Sequence, residues 1–136
     1  MSSVTISTVV NAPMEKVWEC WIEPQHITQW AFASDDWEAP HAENDLRVGG
    51  KFLTRMSAKD KSAGFDFIGV YTAVEKNTLI EYDMDDGRHV KNVFEQTPEG
   101  VKVTTTFDPE SENSEEMQRQ GWQAILDNFK KYVEIA

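Results

Sequence analysis

The chain carries one cysteine, Cys20, in 136 residues, which excludes an intramolecular disulfide framework. Set among Val17, Trp18 and Trp21, that thiol reads as a small buried hydrophobe. Positive charge is scarce: 13 Lys and Arg stand against 24 Asp and Glu, a formal charge of −11. Phosphate backbones and anionic headgroups are bound by cations, so this balance argues against a nucleic-acid or membrane partner. It leaves a basic protein partner open. No run of 18 apolar residues occurs, so no segment reads as a transmembrane helix. The opening MSSVTISTVV lacks the basic region and apolar core of a signal peptide, and the expected location is cytoplasmic. The three histidines, His26, His41 and His89, fall on separate predicted elements without metal-ligand spacing. There is no G-x-S-x-G elbow and no Walker-type glycine loop. No catalytic constellation, metal or cofactor is therefore expected.

What the chain does contain is regular patterning over one domain, residues 1–136. Residues 4–10 are β-branched and predict a first strand. Pro13 suits the first position of a helix running to about Trp21, and Glu23-Pro24 restarts a short helix toward Trp30. A short strand is expected near Trp37, followed by a loop and a tight entry or bulge at Gly49-Gly50. Five strand-like runs follow at 51–57, 65–74, 79–83, 88–96 and 101–107, with short breaks that imply antiparallel neighbours. Asp86-Gly87 reads as a two-residue hairpin turn. A long final helix is expected from a cap at Asn113, with Glu116 completing a capping box. Met117, Gly121, Trp122, Ile125, Leu126, Phe129, Tyr132 and Val133 form its wide apolar stripe. The fold class is α+β: a curved antiparallel sheet gripping the C-terminal helix, with two short helices after strand 1.

Period-2 alternation assigns the inward faces. Phe52, Thr54 and Met56 share one, as do Ile80, Tyr82 and Met84; Val90, Asn92 and Phe94; and Val101, Val103, Thr105 and Phe107. Phe65 and Phe67 are also read as inward, and His89 as outward. A wide helical stripe against a curved sheet suggests a hollow core and a small-molecule pocket. Its expected wall is Trp37, Phe52, Met56, Phe67, Tyr82, Met84, Phe94, Trp122, Ile125 and Phe129, with Thr54, Asn92 and Thr105 as polar groups that orient a ligand. Asn92 is the least comfortable of these in a plain core. Asp35 and Asp36 beside Trp37 are the candidates for an acid or base, if either faces the pocket. The competing reading for them is a loop held by side-chain bonds to backbone amides. Asp83, Asp85, Asp86 and Arg88 read as a solvated turn.

The segments NAPMEKVW, EPQHITQW, DLRVGGKF and GWQAILDNFKKYV resemble the SRPBCC superfamily, the START-like helix-grip domains. FASDDW, AENDLRVGGKF and GWQAILDNF are similar to the subgroup that joins the activator of the 90-kDa heat-shock-protein ATPase with the calicheamicin self-resistance protein. The resemblance implies a cavity between sheet and helix that takes a small hydrophobic or amphipathic molecule. It keeps two alternatives: an enzyme of cyclase or hydrolase type on polyketide-like or aromatic substrates, and a chaperone-associated interaction module. Chaperone activators join this domain to a separate N-terminal one, whereas here the first strand begins at Val4, so ligand binding is the leading expectation. A homodimer is compatible with either.

Overall fold

The computed structural model describes residues 3–136. The β-branched start forms β1 (Val4–Val10), and α1 (Met14–Ile22) and α2 (Pro24–Ile27) follow. Then come β2 (Trp37–Asn44), β3 (Lys51–Ala58), β4 (Gly64–Glu75), β5 (Leu79–Met84), β6 (His89–Thr97) and β7 (Gly100–Phe107). α3 (Glu115–Ile135) closes the chain. The strands make one antiparallel sheet in the order β1-β7-β6-β5-β4-β3-β2, curled into a half-barrel. The expected α+β helix-grip architecture is the one observed.

Several local expectations are corrected. β2 extends over eight residues, well beyond a short strand at Trp37. Pro40 hid it, because proline cannot donate to a ladder, but β2 is an edge strand and its register slips between Glu38 and His41. Pro13 caps α1 in an extended conformation and lies one position before the helix, and α2 ends at Ile27. The cap of α3 is Ser114, whose hydroxyl accepts the Met117 amide at 3.1 Å, so the Asn113–Glu116 capping box does not form. Between β5 and β6, only Gly87 (φ +92°) adopts the left-handed region that a two-residue turn would require of Asp86 as well. The loop is instead Asp85–Gly87, closed by the Gly87 amide on the Met84 carbonyl and the Met84 amide on Arg88.

The sheet's concave face carries the core. All four inward sets from β3, β5, β6 and β7 point there, and each member is buried except Met56, which is partly so. α3 lies across this face but approaches one edge most closely, along β1. Its polar flank explains why. Arg119, Gln123 and Lys130 donate to the Thr5, Ser7 and Val9 carbonyls, which face outward from the free edge of the sheet. Those carbonyls would otherwise offer a template for another strand. The apolar stripe of α3 then turns inward, with Leu126, Phe129 and Val133 buried.

An aromatic plug fills the end of the half-barrel beneath α1 and α2. Phe129 meets Trp21 and Trp30 edge-on at 4.9 and 4.8 Å, and Phe94 meets Trp18 and Trp21 at 5.3 and 5.4 Å. Trp30 donates to the Cys20 carbonyl at 2.9 Å, which ties the turn after α2 back to α1. Burial raises the Cys20 thiol's pKa, with Glu19 adding to the rise, so the thiol stays protonated and inert.

Two predictions follow from this frame. Gly121 sits within α3 with nothing within 4 Å of where a Cβ would lie. Gly121→Ala therefore stabilises the fold by roughly 0.5–1 kcal/mol, read as a higher urea midpoint. His89 is outward as expected, with Nδ1 2.6 Å from Asp83 and Nε2 2.8 Å from Glu81. Those hydrogen bonds to Asp83 and Glu81 raise its pKa. A raised folded-state pKa stabilises fully below the ordinary imidazole value of about 6.5 and loses that contribution as pH climbs through the folded value. Melting temperature in the wild type therefore falls as pH rises above that ordinary imidazole value, and His89→Gln flattens that dependence in a pH series of thermal melts.

Candidate functional site

Because α3 rests on the β1 edge, the space over β3–β6 is bridged only by long side chains. Trp122 does much of this, stacked on Phe107 at 4.1 Å and edge-on to Phe67 at 6.2 Å. The space left is a cavity of about 330 Å³ between the sheet and α3. Phe52 forms part of its floor, and the local sequence explains how. Phe52 pairs across strands with Gly69, where an added Cβ would come within 2.5 Å of the phenyl ring. The missing side chain lets the ring lie flat over β4, in contact with Tyr82 at 4.7 Å.

Most sequence-predicted site residues come together here. Phe52, Thr54, Met56, Phe67, Tyr82, Met84, Asn92, Thr105, Trp122 and Ile125 line the cavity. Trp37, Phe94 and Phe129 do not. Phe94 and Phe129 point inward as alternation requires, but at their level of the barrel the space is taken by α1 and α2, so they pack behind Trp21 and Trp30. Trp37 lies at the start of edge strand β2, 6.1 Å from Phe65, outside the wall. Phe65 is inward but 50% exposed, at the rim.

The structure adds residues that the expected wall did not include. Trp21, Ile27, Trp30 and Ala31 form the closed end, Ile6, Ile80 and Leu126 fill gaps, and Tyr71 joins from β4. Tyr71 lies in the same alternating phase as Phe65 and Phe67, because the register of β4 slips only after it, so extending their inward reading along the strand would have found it. Arg88 and Glu110 also line the cavity, which corrects the reading of Arg88 as part of a solvated turn. Both belong to loops at the open end of the half-barrel, where Arg88 pairs with Asp86 at 2.8 Å. Nothing in the local pattern around Glu110 signalled this, since the position depends on where the β7–α3 loop folds back.

That loop is pinned by a buried amide. Gln118 accepts the Glu110 amide at 2.8 Å and donates to the Glu110 and Asn113 carbonyls at 3.0 and 2.9 Å. The Glu110 carboxylate in turn accepts the amides of Asn113 and Glu112. Those bonds, the Asn113 amide foremost, hold its pKa below the usual carboxylate range. Asp35 and Asp36 lie outside the cavity, with Asp36 accepting the Ser34 hydroxyl and its carbonyl the Lys59 amide. Among the described residues, no three His, Cys, Asp or Glu side chains converge as a metal site would require.

Inside, the polar groups are uncharged. Burial pushes the Tyr82 phenol well above its ordinary range, Tyr71 alongside adds to the rise and Asn92 offsets it. Burial likewise raises Tyr71, whose hydroxyl donates to the Asn44 side chain. Asn92, 1% exposed, is satisfied within the sheet: its amide oxygen accepts the Thr105 hydroxyl at 2.8 Å and its nitrogen donates to the Ile80 carbonyl at 3.3 Å. Asn92→Leu strands the Thr105 hydroxyl, and denaturant unfolding should show a loss of about 1–3 kcal/mol.

Comparison with known proteins bears on this arrangement. The profile of the family described as activator of Hsp90 ATPase homolog 1-like protein matches residues 11–134. The solution structure of an AHSA1-like protein from Aeromonas hydrophila is 45% identical, covering 98% of this chain and 93% of that one, with a TM-score of 0.93. A solution structure from Cytophaga hutchinsonii is 50% identical, covers 98% and 92% of the two chains, and has a TM-score of 0.84. A crystal structure from Nitrosomonas europaea shares the fold at 18% identity, with a TM-score of 0.84 over 98% and 94% of the chains. No functionally curated protein matches significantly.

Proposed function

The chain belongs to the activator of Hsp90 ATPase homolog 1-like family, of SRPBCC type, and from that membership and the cavity we propose that it binds a small hydrophobic or amphipathic molecule between the sheet and α3. The observation that carries this reading is the cavity itself: about 330 Å³, aromatic-walled, with Arg88 and Glu110 at the open end as its only charged side chains among the described residues. Fully collapsed cores do not leave such a volume. A ligand burying ~300 Å² of apolar surface gains ~7 kcal/mol before association costs. Those costs bring the expected affinity to the micromolar range.

Proton-transfer chemistry is the weaker reading. It needs a carboxyl or imidazole poised near neutrality inside the cavity. Glu110 is the carboxylate at the wall, and its two backbone donors favour the ionised form and occupy its oxygens. The neutral tyrosines are suited to donating hydrogen bonds. The charge of −11 supports the exclusion of nucleic acid and anionic membrane as partners. No helix among the described residues is long and apolar enough to cross a membrane, which fits a cytoplasmic location.

Native mass spectra of freshly purified protein, with and without organic extraction, test the proposal. The expected result is a bound small molecule, or, after extraction, micromolar uptake of 2-acetylnaphthalene by equilibrium dialysis. Protein that holds nothing and takes up no apolar probe would overturn it.

A further inference from the structure

The polar side chains on the cavity wall differ in one respect. Asn92 and Thr105 satisfy each other, Tyr82 has the Asn92 amide beside it, Tyr71 donates to Asn44, and Gln118 spends its amide on the mouth loop. Thr54 does not share in such a bond. It lines the cavity from β3, is 6% exposed, and its hydroxyl has no hydrogen-bond partner among the described residues. Its neighbours across the strands are Phe67 on β4 and Ala42 on β2, neither of which offers a side-chain partner. The hydroxyl is therefore reached from the cavity space, where a polar group of a bound molecule can complete it.

We infer that Thr54, rather than Asn92, is the specificity-determining polar group of the cavity, and that the ligand presents an uncharged hydrogen-bonding group, a carbonyl or hydroxyl, to β3. This rests on the binding reading above. The group is uncharged because the wall around Thr54 supplies no ion to compensate a charge: the ionised side chains of the lining, Arg88 and Glu110, come from the mouth loops, and the nearer wall is Phe52, Met56 and Phe67. Thr54 has both a donor and an acceptor to offer, so either a carbonyl or a hydroxyl completes it. Asn92 has its amide oxygen and nitrogen committed, and its role is to hold β6 to β5 and β7.

The test uses two compounds of nearly equal shape, 2-acetylnaphthalene and 2-ethylnaphthalene, and measures the ratio of their affinities by equilibrium dialysis against the full chain. Thr54→Val is expected to lower the ketone-to-hydrocarbon ratio about fivefold, equivalent to ~1 kcal/mol. Thr54→Ser, which keeps the hydroxyl, retains the wild-type ratio. Because no bond is lost within the protein, Thr54→Val melts at or above the wild-type temperature. A ratio unchanged in Thr54→Val, or a Thr54→Val protein that melts several degrees lower, overturns the assignment while leaving the binding reading intact. Failure of the wild type to bind either compound overturns the binding reading and this assignment with it.

Discussion

Seven strands curled through half a barrel present one concave apolar face, and α3 is the element that keeps water from it. The helix is held at one margin. Arg119, Gln123 and Lys130 bond the outward carbonyls of β1, so the helix axis stays beside that edge. A helix is about 10 Å across with its side chains, and a curved sheet spans more than that. The far strands are therefore reached only by the largest residues of the stripe, above all Trp122 between Phe107 and Phe67. The cavity is the volume this arrangement leaves unfilled.

The two ends of that volume are closed by different physics. Beneath α1 and α2, six-membered and indole rings pack edge-on around Phe129, and the contact is dry and non-directional apart from the Trp30–Cys20 hydrogen bond. At the other end, a loop with little apolar content is fixed by hydrogen bonds from Gln118 and by its own Glu110 carboxylate. An apolar plug resists opening through buried area. A hydrogen-bonded loop is held by directional bonds instead, here those of the buried Gln118 amide.

Within the wall, polar groups differ in whether the protein itself satisfies them. Asn92 looked like the residue most in need of a ligand when read along β6, because an amide on an apolar face is costly. Its partner Thr105 lies on β7, thirteen residues away, and local alternation carries no information about which residues face each other in register. The same ignorance of register concealed the isolation of Thr54, flanked by Phe67 and Ala42.

The sequence by itself determined the element order, the antiparallel pairing of consecutive strands and the inward faces of β3, β5, β6 and β7. These rest on short-range quantities: period-2 alternation, a 3.6-residue stripe and turn-forming residues. The fold class followed, since a sheet with one apolar face and an amphipathic helix have one economical way to bury both. Tertiary structure alone decided which inward residues meet the cavity and which meet α1 and α2, as Phe94 and Phe129 show. It alone brought Arg88 and Glu110 to the mouth, from loops 22 residues apart by their numbers. Height along the barrel, cross-strand register and the path of a connecting loop depend on the whole chain's packing, and no window of sequence encodes them.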